Sequence, residues 1–146
     1  MSKFAHLKKL EVAGKTAWLT LDDLEGSPQI CLRFAGQSNH GYYNALLKRS
    51  GGRSRKLLTG KMDVQMLEDN QEDDRELFPM HVITGWKGIE DENGKAVPFS
   101  RAAAAELCAA LPGWVFDKIR NFATTPEQFL EEGEEPLPDG EELAKN

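Results

Sequence analysis

The spacing of apolar and polar positions changes along the chain, and the change divides it. Between residues 7 and 34 the apolar side chains sit at strand spacing: Leu10, Val12, Ala17, Leu19 and Leu21, with Gly14-Lys15 as a turn. Trp18 falls out of phase with Ala17, Leu19 and Leu21 and so faces the other side of its strand. Asp22 to Pro28 reads as a loop by composition. Gln29 to Phe34 then alternates, with Ile30, Leu32 and Phe34 on one face and Cys31 and Arg33 on the other. The pattern predicts a small antiparallel sheet of about three strands.

From residue 38 to residue 130 the spacing is helical. Ser38 or Asn39 can cap a helix in which Tyr42, Ala45 and Leu46 recur at i, i+3 and i+4, and Gly51-Gly52 is expected to break it. Val64 and Leu67 mark a short helical piece between Met62 and Leu67. Leu77, Met80, Val82, Ile83 and Trp86 mark the next. A proline in a helix interior costs about 3 kcal/mol through a lost hydrogen bond and a crowded turn. This piece is therefore predicted to begin near Phe78, with Pro79 in its first turn, and to exit at Trp86.

Residues 86–99 read as a hairpin or extended loop around Asn93-Gly94, a two-residue turn whose members both accept positive φ. Ser100 can cap the helix that follows, Arg101 to Leu111, with Ala103, Leu107, Ala110 and Leu111 as its stripe. Pro112-Gly113 stops it. Val115, Ile119, Phe122 and Ala123 form the apolar face of the next helix. Thr125-Pro126-Glu127-Gln128 then reads as a start signal, with Thr125 at the N-cap and Gln128 reaching back, for a short helix anchored by Phe129 and Leu130.

The expected fold class is α+β: a small N-terminal antiparallel sheet (residues 7–34) followed by a mostly helical half (38–130, with the turn at 86–99), together one domain over residues 1–130. Residues 131–146 are acidic and poor in apolar side chains. Such a segment cannot bury enough surface to offset its ordering entropy and is expected to be a mobile tail.

Charge and composition narrow the chemistry. A net charge of −6 argues against nucleic-acid or anionic-membrane binding by the whole surface. No apolar run reaches the ~18 residues of a membrane span, and no secretory signal is visible, so the expected location is the cytosol. Cys31 and Cys108 lie among apolar residues and read as reduced, buried small hydrophobes. His6, His40 and His81 are scattered, without zinc-ligand spacing. Asp91-Glu92-Asn93-Gly94 resembles part of a calcium loop, but aligning Gly94 on that loop puts Ile89 and Ser100 where carboxylates are needed. No phosphate-loop, nucleophile-elbow or dinucleotide motif is present. The expectation is a chain with no catalytic residues, no cofactor and no metal.

One charge feature asks for a partner. Lys48, Arg49, Arg53, Arg55, Lys56 and Lys61 form a run with no acid among them, and Glu68 to Asp74 follows with the opposite sign. The two stretches can pair within the fold, or the basic run can meet an acidic partner. Nucleic acid is disfavoured because no aromatics interleave the charges.

Several features in order resemble the tail-assembly-chaperone-like proteins of long-tailed double-stranded DNA bacteriophages. They are Gly85-Trp86 with Gly88, the Asn93-Gly94 turn, Val97-Pro98-Phe99-Ser100, Leu111-Pro112, and Phe122-Ala123 with Phe129. Asn39, Tyr42-Tyr43 and Leu46, followed by the basic residues, add to them. The likeness is loose over residues 36–130 and good over 85–130. It implies a non-enzymatic factor that binds the tape-measure protein, helps recruit tail-tube subunits, self-associates, and acts in the cytoplasm of the bacterial host. Such a role needs an adaptable apolar surface, which Met62, Met66, Met80, Trp86, Trp114 and the Ala-rich helix offer. The candidate partner-binding residues are Trp18, Tyr42, Tyr43, Lys48, Arg49, Arg53, Arg55, Lys56, Met80, Trp86 and Trp114. The alternatives are a small tail or connector protein retained in the virion, and a DNA-associated regulator acting through the basic run.

Overall fold

Strand β1 (Thr16–Thr20) and strand β2 (Gln29–Arg33) pair antiparallel, with Trp18 opposite Cys31 and Leu19 opposite Ile30. In this computed structural model the description covers residues 3–58 and 64–130, excluding the side chains of residues 50–58 and 64–67. The free edge of β2 is taken by β3 (Ile83–Lys87), so the sheet order is β1-β2-β3. The sheet thus has three strands, as expected, but the third comes from the middle of the chain. Residues 7–10, which were expected to begin the β structure, lie instead in an exposed 3-10 turn, Ala5–Leu10. Its neighbour Val12 is buried beside Ala17 and Phe129.

The alternation of β1 and β2 falls as predicted. Ala17, Leu19, Ile30, Leu32, Ile83 and Trp86 share the inner face by register, and Ile30 and Leu32 are fully buried. Thr16, Trp18, Thr20, Gln29, Cys31, Arg33, Gly85 and Lys87 share the outer face. A register shift between Cys31 and Leu32 accommodates Thr84, whose hydroxyl donates to the Cys31 carbonyl at 3.3 Å.

Helix α1 (His40–Leu58) starts where Asn39 caps it: Asn39 Oδ1 accepts the Tyr42 N–H at 3.3 Å. It runs through Gly51-Gly52, where a break was expected. Two interior glycines cost about 1 kcal/mol each against alanine, a penalty that the Leu-, Lys- and Arg-rich flanks tolerate. Helix α2 (Val64–His81) joins the two helical pieces predicted separately and carries the acidic stretch between them. Pro79 therefore lies in its last turn, not its first.

Pro79 removes the N–H that would meet the Arg75 carbonyl four residues back, and the last carbonyls of α2 are satisfied from outside. Arg101 Nη1 donates to Pro79 O at 2.9 Å and to Met80 O at 2.7 Å, and Asn39 Nδ2 donates to His81 O at 3.0 Å. Val82 O accepts from Arg33 N at 2.8 Å, and the chain passes directly into β3. Trp86 is accordingly a strand residue and not a helix exit.

The stretch after β3 folds back through one bridge, Glu90 to Ala96. Of the Asn93-Gly94 pair only Gly94 takes positive φ (78°), while Asp91 Oδ1 accepts the N–H groups of Asn93 and Lys95 at 2.9 Å each. The turn is thus a longer Asp-supported one with a left-handed glycine, not the two-residue turn expected. Ser100 caps α3 (Arg101–Ala110), its Oγ accepting from Ala103 N at 3.0 Å. The buried stripe of α3 is Ala104 and Cys108, continued by Leu111, one position on from the predicted Ala103 and Leu107; Ala110 is exposed.

Helix α4 (Gly113–Ala123) buries Val115, Phe116, Ile119 and Ala123. Its Phe116 meets Phe78 edge-on at 5.6 Å, and Phe78 meets Tyr42 at 5.7 Å, so one aromatic row links α1, α2 and α4 beneath the sheet. Helix α5 (Glu127–Leu130) is a single turn seated by Phe129, which packs edge-on against Phe34 and Phe122. The capping box expected at Thr125 is absent: its hydroxyl donates back to Asn121 O at 2.6 Å. The acidic tail and Met62 lie outside the described residues.

Candidate interaction surface

Three of the residues singled out by sequence stand at the surface with their apolar area uncovered: Trp18 (45% exposed), Met80 (54%) and Trp114 (61%). Each is fixed by its element. Trp18 is on the outer face of β1, where Lys87 Nζ lies 4.5 Å from the centre of its ring. Trp114 is in the first turn of α4, with Lys118 Nζ 5.2 Å from its ring centre and that ammonium paired to Asp23 at 2.8 Å. Met80 points out from the last turn of α2, between the buried Pro79 and half-buried His81.

The other candidates divide differently. Tyr42 is 4% exposed and belongs to the core, which corrects its assignment to a contact surface. Its apolar edge packs on Phe78 and its hydroxyl donates to Asp74 Oδ1 at 2.8 Å. Trp86 is half-buried and holds the turn that follows it: Nε1–H donates to Val97 O at 2.8 Å and the ring meets Phe99 edge-on at 5.2 Å. Tyr43 is half-buried. Lys48 and Arg49 are exposed, and Arg49 Nη1 pairs with Glu76 Oε1 of α2, just past the Glu68–Asp74 stretch, so α1 and α2 share an ion pair. An exposed pair of this kind contributes about 0.2–1 kcal/mol. The side chains of Arg53, Arg55, Lys56 and Met66 lie outside the described residues.

The polar group that sequence reasoning missed is buried. Asp74 is 5% exposed, and both its oxygens accept: Oδ1 from Tyr42 and Oδ2 from Arg120 Nε at 2.8 Å. Arg120 Nη1 also donates to Asp117 Oδ1 at 2.8 Å, which takes a second bond from Gln71 Nε2 at 3.1 Å. Beside it, Arg75 Nη1 donates to the carbonyls of Cys108 and Leu111 and its guanidinium lies 5.2 Å from the centre of the Phe116 ring. This network ties α1, α2, α3 and α4 together. Arg120 could have been found: it is a lone cation inside the apolar face Phe116, Ile119 and Ala123, and a cation there needs a carboxylate.

The electrostatics follow from burial. Loss of water raises the Asp74 carboxyl above its ordinary value, against the pull of Arg120 and of the Tyr42 hydrogen bond. Burial likewise raises the Tyr42 hydroxyl, with Asp74 adding to it. Burial works to lower Arg120, but Asp74 and Asp117 outweigh it and hold the guanidinium protonated. Burial also opposes ionisation of Asp117, yet the hydrogen bonds from Arg120 and Gln71 win and its carboxyl is lowered. Two acceptor bonds on Asp74 are the geometry of an ionised carboxylate, so the pair with Arg120 is an ion pair that positions helices. The cysteines Cys31 and Cys108 are free and buried. Burial pushes the Cys108 thiol up to about 12.

A cleft of about 340 Å³ lies between the end of β2 and the start of α1. Its walls include Val12, Arg33, Phe34, Ser38 and His40. Among the described residues no group of His, Cys, Asp and Glu is arranged to hold a metal ion, and no helix is long and apolar enough to cross a membrane.

A family model described as YdaY prophage protein matches residues 38–136, two thirds of the chain. Among the described residues the match takes in helices α1 to α5 and strand β3, including the Tyr42–Asp74–Arg120 network, and leaves β1 and β2 outside. Comparison with curated proteins and with solved structures gives no match.

Proposed function

The chain belongs to the YdaY prophage protein family, and from that premise we propose that it acts by binding other proteins during assembly of a phage tail. It is a tail assembly chaperone: it catalyses no reaction, works in the cytoplasm of the bacterial host, keeps the apolar helices of the tape-measure protein in solution, and helps recruit tail-tube subunits. The observation that carries the reading is the exposure of Trp114, Met80 and Trp18, which stand uncovered along with Phe4, Leu7, Leu10 and Leu47. Met adapts to irregular apolar partners, and Trp brings a large rigid surface with a polar handle.

The test is co-expression with the tape-measure protein of the same prophage. The parent chain is expected to increase the soluble fraction of that protein, and the Met80→Ala/Trp114→Ala double variant is expected to lose that effect. Both side chains are exposed, so the variant's unfolding curve should move by only about 0.5 kcal/mol per site. Failure of the parent chain to raise the soluble fraction would sink the proposal. The β1–β2 hairpin, which lies outside the family match, favours as second reading a small tail or connector protein retained in the virion. Mass spectrometry of purified particles separates the two, because a chaperone should be absent from them.

A further inference from the structure

Strand β1 is an edge strand, and the hydrogen bonds on its paired side show which of its backbone groups face outward. In an antiparallel pair, residues whose N–H and C=O both face the partner alternate with residues whose groups both face away. Leu21 N–H donates to Pro28 O at 2.8 Å, one step beyond the Thr20–Gln29 pair of the β1–β2 register. Leu19 and Ala17 therefore also face β2, and Thr16, Trp18 and Thr20 turn their backbone groups away from it. The far end agrees: Arg33, opposite Thr16, donates its N–H to Val82 O and not to β1. No turn or cap among the described residues takes up the outward groups. Helix α5 meets β1 from the inner face, through Phe129 on Ala17.

An open edge is usually blunted by proline, by charge or by a bulge. Thr16–Thr20 carries none of these, and the side chains of Thr16, Trp18 and Thr20 are exposed. The other edge strand, β3, carries Gly85, the charge of Lys87 and the register shift of the sheet. The charges near β1 lie at its two ends and have opposite sign: half-buried Lys15 precedes it and exposed Asp22 follows it. The ion pairs among the described residues use neither. A strand that is positive at its start and negative at its end complements a second copy of itself run antiparallel. Parallel pairing would set like charge beside like.

We propose that the β1 edge is the interface of a homodimer, in which the strands of two copies pair antiparallel about a two-fold axis at Trp18. Trp18 then exchanges both backbone bonds with Trp18 of the partner subunit, and Thr16 does so with the partner's Thr20. This register uses every outward group of β1, and a shift by two residues in either direction leaves some unpaired. The two Trp18 rings come side by side on the outer face, and on the inner face the half-buried Leu19 meets the partner's Ala17. Lys15 lies opposite the partner's Leu21 and beside the partner's Asp22, once at each end of the paired strands. The two sheets become one. The inference does not rest on the chaperone reading, and the purified chain alone tests it.

The experiment is sedimentation equilibrium of the full chain over a range of concentrations. The parent is expected to pass, on dilution, from twice the 16.3 kDa mass of one chain toward that mass. Lys15→Glu and Asp22→Lys each turn the attractive contact at both ends into a repulsive one, and each should weaken association about tenfold. Neither side chain belongs to the core, so the unfolding curves should stay nearly unchanged. Mixing the two single variants should restore association, because every end contact of the mixed pair then joins opposite charges. The Lys15→Glu/Asp22→Lys double variant should regain it for the same reason. Trp18→Pro deletes an N–H that bonds nothing within its own sheet and should abolish association. The charge variants decide the matter even where Trp18→Pro fails to fold. A parent that keeps the mass of one chain at the highest soluble concentration would overturn the proposal. So would association that withstands both charge variants, which places the contact elsewhere, and so would single variants whose mixture stays dissociated, which removes the antiparallel register.

Discussion

Removing the cation from the buried network is the sharpest perturbation this fold offers. In Arg120→Met, Asp74 keeps its bond from Tyr42 but loses the guanidinium 2.8 Å away, at a site where the Asp74 side chain is 8% exposed and Arg120 23%. Breaking a buried pair by deleting one partner costs about 3–5 kcal/mol. The partial exposure of Arg120 lets water reach the carboxylate, which argues for the lower end, about 3 kcal/mol. The loss should depend on pH. Without Arg120, only the Tyr42 hydrogen bond still opposes the burial that already raises the Asp74 carboxyl, so its folded value rises further above the unfolded value of about 3.9. A carboxyl whose folded value is raised is best tolerated when protonated, so the deficit should be largest near neutral pH and shrink as pH falls toward 4. Urea unfolding followed by far-UV circular dichroism, parent against variant at several pH values, measures both quantities. Replacing the triad with apolar groups, Tyr42→Phe/Asp74→Leu/Arg120→Met, should recover most of the stability, because no buried polar atom is then left unpaired. A deficit below about 1 kcal/mol with no pH dependence would refute the reasoning and place Asp74 and Arg120 with ordinary surface pairs.

Three other outcomes test separate parts of the structure. Trp86→Phe keeps the ring contact with Phe99 but removes the donor to Val97 O, and should cost about 1 kcal/mol while speeding hydrogen exchange at Val97, whose N–H bonds Ile89 O. Phe129→Ala empties a fully buried site with two aromatic neighbours and should cost about 3–5 kcal/mol in urea unfolding, much more than its place in a four-residue helix suggests. Cys108, buried with its thiol pushed up to about 12, should resist a disulfide reagent at pH 8 in the native chain and react only on unfolding; rapid native labelling of Cys108 would contradict its place in the core.

Where a local chemical reason acts alone, the residues of this chain determine its structure without help. Period-two spacing put Ala17 and Leu19 inside and Trp18 outside. Ser100 caps α3 by accepting the Ala103 N–H, and Pro112-Gly113 ends that helix and opens the next. Of the predicted α4 stripe, Val115, Ile119 and Ala123 are buried and Phe122 is half-buried, while Phe116 joins them. The family likeness lay in the same region, since the phage resemblance over residues 36–130 nearly coincides with the match over 38–136, although the finer identity as a tail chaperone stays a proposal.

The tertiary structure decided wherever two local readings were nearly balanced. Val82, Ile83 and Trp86 fit a helical stripe as well as a strand, and the open edge of β2 settles the choice by accepting β3. Helix α2 runs past Pro79 to His81, and its last carbonyls, on Pro79, Met80 and His81, take donors from Arg101 and Asn39 in distant parts of the chain. Tyr42 carries an apolar ring and a hydroxyl, so pattern alone permits surface or core. It is core because Asp74, 32 residues away, accepts its proton, and Arg120 then compensates the charge. Hydrophobic period reports which face of an element turns inward, and caps report where it ends. Which distant donor meets which buried acceptor depends on how the elements pack, and that is set only when the chain has folded.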